Sequence, residues 1–162
     1  MATRQSVLWI EDSARLELRN LCGPVYLSGK YDFSLAEDVT AAVRQMSIKK
    51  FDALIVDVRL PPGTDPTWRK LYLDSSKKQV QAQLGLQLLR WMICKDLTIH
   101  SAPPPDWIDP NRIAVFSVES QEIRLTLDEL GIEISATKTP GLKDNALLEL
   151  IDRLMDHNSP NH

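Results

Sequence analysis

Three short apolar runs each end on a polar side chain. Val7-Leu8-Trp9-Ile10 leads into Glu11-Asp12, Ala53-Leu54-Ile55-Val56 into Asp57, and Ile113-Ala114-Val115-Phe116 into Ser117. Uninterrupted apolar runs of this length suit strands covered on both faces, as in a parallel sheet packed between helices. Residues 31–36 alternate loosely, with Tyr31, Phe33 and Leu35 set against Asp32 and Ser34, and read as another strand. Ile132-Glu133-Ile134-Ser135 reads as a fifth, weaker one.

Helical patterns lie between these runs. A helix is expected from Ser13, carrying Leu16, Leu18, Leu21 and Cys22 and stopping at Gly23-Pro24. Val39, Ala42, Val43 and Met46 form a stripe at helical spacing within residues 38–46. Further helices are expected over 84–93, over 121–130 with Gly131 closing it, and over 145–155. Strands alternating with helices argue for βα units.

Two segments break the rhythm: a polar stretch from Pro62 to Gln83, and residues 96–111, which hold Pro103-Pro104-Pro105 and Trp107 and read as loop. The first is locally basic through Arg69, Lys70, Lys77 and Lys78. Loops of this length are usually functional or disordered. It reads either as a solvated, partly helical loop or as a docking element, with Trp68 and Tyr72 expected to anchor it to the body. No repeat or shift in composition marks a second domain. The expectation is one domain over residues 1–162, with a core at about 5–157 and an insertion at about 62–84.

Composition narrows the function classes. The formal net charge of −3 offers no bulk attraction for nucleic acid. The N-terminus has no signal-peptide pattern and no apolar run approaches a membrane span, so a cytoplasmic protein is expected. Cys22 and Cys94 lack metal or redox spacing and are expected as small buried hydrophobes. His100, His157 and His162 sit in loop or tail contexts and are expected to face solvent.

The candidate chemistry lies at the strand ends. In an open parallel sheet, ligands bind beyond the carboxyl ends of the strands. Glu11, Asp12, Asp57, Ser117 and Lys138 would meet there. Three carboxylates in one small site need either raised pKa values or a cation, and an all-oxygen donor set suits Mg²⁺. Asp57 would be a carboxylate nucleophile toward a phosphoryl group, Lys138 a point charge and Ser117 a hydrogen-bond donor. Taken singly, each has a bland reading; Asp12 or Ser13 would serve as a helix N-cap.

Together, Val7 to Asp12, Leu54 to Pro61, Ile113 to Ser117, and the glycine-led helix at Leu84-Gly85-Leu86 resemble the response-regulator receiver domain of two-component signalling, the CheY-like superfamily. The resemblance implies a flavodoxin-like (βα)₅ three-layer sandwich with strand order 2-1-3-4-5, here with long connections on both sides of the third helix. It implies Asp57 as phosphoacceptor, and Asp12, Asp57 and the backbone carbonyl of Arg59 as Mg²⁺ ligands, with Glu11 reaching the metal through water. It also implies Ser117 as switch hydroxyl and Lys138 as phosphate-contacting lysine. Donors would be a histidine kinase or phosphotransfer protein. Output would pass by protein–protein contact to an unidentified partner, without nucleic acid, membrane or enzymatic turnover. A receiver-like interaction module that does not switch by phosphate is the alternative. A phosphohydrolase is disfavoured because Arg59 stands where a second acid would be needed.

The sequence departs from the family pattern at three places. Thr139 separates Lys138 from Pro140, so the Lys138–Thr139 bond is expected trans. Ser135 occupies the place of the family's switching aromatic. Arg59 would either contact a phosphoryl group or pair with Glu119.

Overall fold

The structure is a computed structural model and describes residues 3–73 and 83–158. Its elements run in the order β1 (Gln5–Ile10), α1 (Cys22–Ser28), β2 (Tyr31–Ala36), α2 (Val39–Ile48), β3 (Ala53–Val56), α3 (Pro66–Leu73), α4 (Leu84–Cys94), β4 (Ile113–Ser117), α5 (Arg124–Leu130), β5 (Ile134–Thr137) and α6 (Ala146–His157). The five strands form one parallel sheet in the order β2-β1-β3-β4-β5, the flavodoxin-like arrangement expected from the sequence.

The three apolar runs are its centre. β3 and β4 are buried at every position, and β1 at all but its first. Period-2 alternation divides their side chains between two cores. Leu8, Ile10, Leu54, Val56, Ile113 and Val115 pack beneath α2, α4 and α5, while Val7, Trp9, Ala53, Ile55, Ala114 and Phe116 pack beneath α1 and α6. The outer strands β2 and β5 are only partly covered, which explains their weaker sequence signals.

The first helix departs from expectation. Residues 12–18 form turns, Arg19–Leu21 a short 3-10 turn, and α1 begins at Cys22, so Gly23-Pro24 opens the helix instead of ending it. The first N–H groups of a helix have no intrahelical acceptor, so a proline there loses nothing and its fixed φ suits the turn. Leu16, expected on the buried stripe, is 74% exposed. The fifth strand begins at Ile134, two residues later than its sequence pattern. Cys22 is buried as expected, but Cys94 is exposed at the end of α4.

The insertion carries a helix of its own. Asp65 caps α3, accepting the Thr67 N–H at 2.8 Å, and Pro66 takes the first helical position. Trp68 is completely buried and Tyr72 packs against the same core. Trp68 meets Trp91 of α4 edge to face at 5.7 Å and stacks on His100 at 5.4 Å. His100, expected in solvent, is therefore inside this aromatic box. Its Nδ1 accepts the Ala102 N–H at 3.1 Å, so Nε2 carries the proton of the neutral ring and faces Asp65 Oδ2 at 3.1 Å. Burial pushes the Asp65 carboxyl up, but bonds from His100 and the first turn of α3 outweigh it, and it lies below its usual range. The other end of the insertion's opening loop is tied to α2, whose Val39 and Thr40 N–H groups donate to Pro61 and Pro62 carbonyls at 3.0 and 3.1 Å. Lys77 and Lys78 lie outside the described residues, as does His162. His157 is exposed, as expected, and pairs with Glu133 at 2.7 Å. Residues 96–111 are irregular, as expected, with a 3-10 turn at Pro110–Arg112.

Candidate functional site at the carboxyl edge of the sheet

The sheet register builds the site. Ile10, Val56 and Val115 lie in one row, so Glu11 and Asp57 leave the sheet side by side. Ser117 pairs with Thr137, and Lys138 follows immediately, its N–H donating to the Ser117 carbonyl at 3.1 Å. Four strands thus deliver the predicted residues to one edge.

Glu11 and Asp57 are buried, Asp12 is exposed, and donor atoms from all three lie within 4.8 Å of one another. The Lys138 ammonium stands between the two buried carboxylates, bonded to Glu11 Oε2 and 3.1 Å from Asp57 Oδ2. Thr139 does not hinder this reach. Every peptide bond among the described residues is trans, Lys138–Thr139 and Thr139–Pro140 included. The ammonium also lies 5.6 Å from the Phe116 ring centroid. Burial, and then the neighbouring Asp57 carboxylate, push Glu11 up to about 8 against the pull of Lys138. Ser13 does not cap a helix; its N–H bonds Glu11 Oε1 at 3.1 Å and fixes that carboxyl.

The donor set fits a divalent cation. The raised Glu11 value marks a site where charge is left unneutralised, and hard oxygen donors beside an open cleft suit an ion that keeps some of its water. The cleft measures about 450 Å³ and is walled by Asp12, Arg59, Val118, Thr139 and Leu142 around Glu11 and Asp57.

Ser117 is fully buried, with its hydroxyl accepting the Glu119 N–H at 3.3 Å. Arg59 settles the choice left open by sequence. Its N–H lies 3.4 Å from Asp57 Oδ1, but its guanidinium turns away to Glu119, with Nε donating to Oε1 at 2.7 Å. Glu119 also accepts from Gln83 Nε2 through its other oxygen, at 3.0 Å. The Ser135 hydroxyl accepts from Arg124 at 3.0 Å. Gln83 was not singled out by sequence, since only the folded loops bring it to Glu119.

Gly85 sets the position of Asp57. Its N–H donates to the Val58 carbonyl at 2.8 Å, and a Cβ at this position would lie 2.2 Å from the Asp57 carbonyl oxygen. The first turn of α4 therefore rests directly on the backbone of Asp57 and Val58.

No family model matches the sequence, and no curated protein matches it. Solved structures do. The receiver domain of a Francisella response regulator superposes with a TM-score of 0.60 at 16% identity, over 96% of this chain and 100% of its own. A CheY-like response-regulator receiver protein from Methanospirillum hungatei gives 0.59 at 15%, over 96% and 97%. The receiver domain of a sensor histidine kinase from Pseudomonas aeruginosa, described with a magnesium ion coordinated in its active-site cleft, gives 0.53 at 18%, over 95% and 99%. At these identities the likeness is one of architecture, and the chain has the CheY-like fold of response-regulator receiver domains.

Proposed function

We propose that the chain is a receiver module that accepts a phosphoryl group on Asp57 and signals through protein–protein contact. The observation that carries this reading is the arrangement at the sheet edge: Asp57 is backed by Glu11 and Asp12 and lies 3.1 Å from the Lys138 ammonium. An Asp57 carboxylate oxygen forms the new P–O bond as the P–N bond of a phosphohistidine donor breaks, leaving the electron pair on the departing imidazole. The donor is a histidine kinase or phosphotransfer protein.

Glu11, Asp12, Asp57 and the backbone carbonyl of Arg59 would hold Mg²⁺, with Glu11 acting through water. The bound ion supplies charge neutralisation for the phosphoryl group in transfer. Lys138 supplies a second positive charge against a phosphoryl oxygen, and a reoriented Ser117 hydroxyl donates to another. Burial of Asp57 limits access of bulk water to the reacting atoms. The site is read as accepting one group at a time, not as turning over a substrate, and the surroundings as cytoplasmic.

Intact mass spectrometry after incubation with acetyl phosphate and Mg²⁺ tests this reading. One phosphoryl adduct is expected, absent in Asp57→Asn. A folded wild-type protein without an adduct would instead support a receiver-like interaction module, the reading favoured by Ser135 in place of the aromatic.

A further inference from the structure

Glu119 lies at a junction that the phosphoacceptor chemistry does not require. One carboxylate oxygen holds the Arg59 guanidinium, the other holds the Gln83 side-chain amide, and the Glu119 N–H bonds the Ser117 hydroxyl. The three partners belong to three segments: the loop after β3, the residue preceding α4, and the end of β4. Gln83 makes no side-chain cap to α4, so its amide is committed to Glu119.

We propose that Glu119 is a positioning residue that transmits the state of Asp57 to the first turn of α4, in place of a rotating aromatic. This rests on the reading of Asp57 as phosphoacceptor. Arg59 is well placed to respond: its backbone is anchored beside Asp57 Oδ1, while its side chain is 59% exposed and held at its tip by Glu119. The Glu119 side chain, at 15% exposure, is much less free. A phosphoryl group adds up to two negative charges and three acceptor oxygens. It attracts the Arg59 guanidinium in competition with Glu119, repels the Glu119 carboxylate, and takes up the Ser117 hydroxyl. Each effect weakens a bond centred on Glu119. Gln83 then loses its charged partner, and the turn closed by the Leu86 N–H to the Gln83 carbonyl at 3.0 Å loosens.

Hydrogen–deuterium exchange with beryllofluoride and Mg²⁺ as the phosphoryl mimic tests the coupling, read on peptides covering residues 83–89 and 117–123. In the wild type the mimic is expected to speed exchange in the first turn of α4 about tenfold, the consequence of losing one charge-assisted hydrogen bond. Gln83→Met and Glu119→Gln are expected to exchange faster before the mimic is added and to respond little to it. Asp57→Asn is expected to match the resting wild type throughout. Acetyl phosphate adduct formation is measured on the same samples. An adduct on Asp57 with unchanged exchange at residues 83–89 overturns the coupling alone. Absence of the adduct overturns the phosphoacceptor reading and the coupling with it.

Discussion

A glycine fixes the position of Asp57. Gly85 is needed for proximity, because its missing side chain is the space occupied by the Asp57 carbonyl oxygen and the Val58 backbone. Gly85→Ala is expected to destabilise the protein by about 1–3 kcal/mol, the usual penalty for overpacking, read as a lower midpoint in urea. It should also slow phosphoryl capture, since relief of the clash must shift either α4 or Asp57. The acidic residues were legible in the sequence because Glu11-Asp12 and Asp57 stand at the ends of apolar strand runs, and strand register converts that pattern into proximity. Arg59, Glu119 and Gln83 form a different kind of group. Arg59 and Glu119 stand 60 residues apart, and the sequence could offer their pairing only as one of two outcomes. Gln83 gave no signal, because a neutral amide in a polar stretch has no periodicity to mark it.

The inserted helix shows what element-scale patterns convey and what they miss. Trp68 and Tyr72 marked a segment that must bury apolar surface, and both pack on the body as expected. The partner of that packing was hidden, since His100 lies in an irregular proline-rich stretch and reads as solvated. Trp68→Ala is expected to cost about 3–5 kcal/mol, the range for a large aromatic removed from a core, and to detach α3 without removing the site acids; thermal denaturation and near-ultraviolet circular dichroism read the two effects. Asp65 adds a pH dependence. Its carboxyl titrates below the ordinary range in the folded state, so its contribution is complete above the unfolded value of about 4 and is lost as pH falls through the lower, folded value. Asp65→Asn should therefore flatten the acid limb of the stability curve and leave the neutral limb's shape unchanged, as followed by urea titrations across pH. The first helix teaches the converse lesson. Gly-Pro is punctuation that can open a helix or close one, and the apolar spacing of residues 16–22 did not decide between them.

For the whole molecule, the arrangement of strands and layers was the most legible feature. Three runs buried on both sides admit few alternatives to a covered parallel sheet, and right-handed crossovers leave few strand orders. No helix among the described residues is long and apolar enough to cross a membrane. The proposed cation should act on this entire assembly, because its ligands come from β1 and β3 and meet only in the folded chain. Thermal stability is expected to rise with Mg²⁺ concentration, by about 2.7 kcal/mol at one hundred times the dissociation constant. Asp12→Ala should largely abolish the rise, and Ca²⁺ should substitute less well because the small site favours the smaller ion. Differential scanning fluorimetry across a metal series provides the check.

The box formed by Trp68, Trp91 and His100 also has an optical consequence. Two indoles held edge to face at 5.7 Å, one on the insertion and one on α4, are close enough for their excited states to couple. The far-ultraviolet spectrum should then carry a split band that belongs to neither tryptophan alone and vanishes when the two part. The chain therefore contains a built-in, label-free reporter of whether its inserted helix is seated.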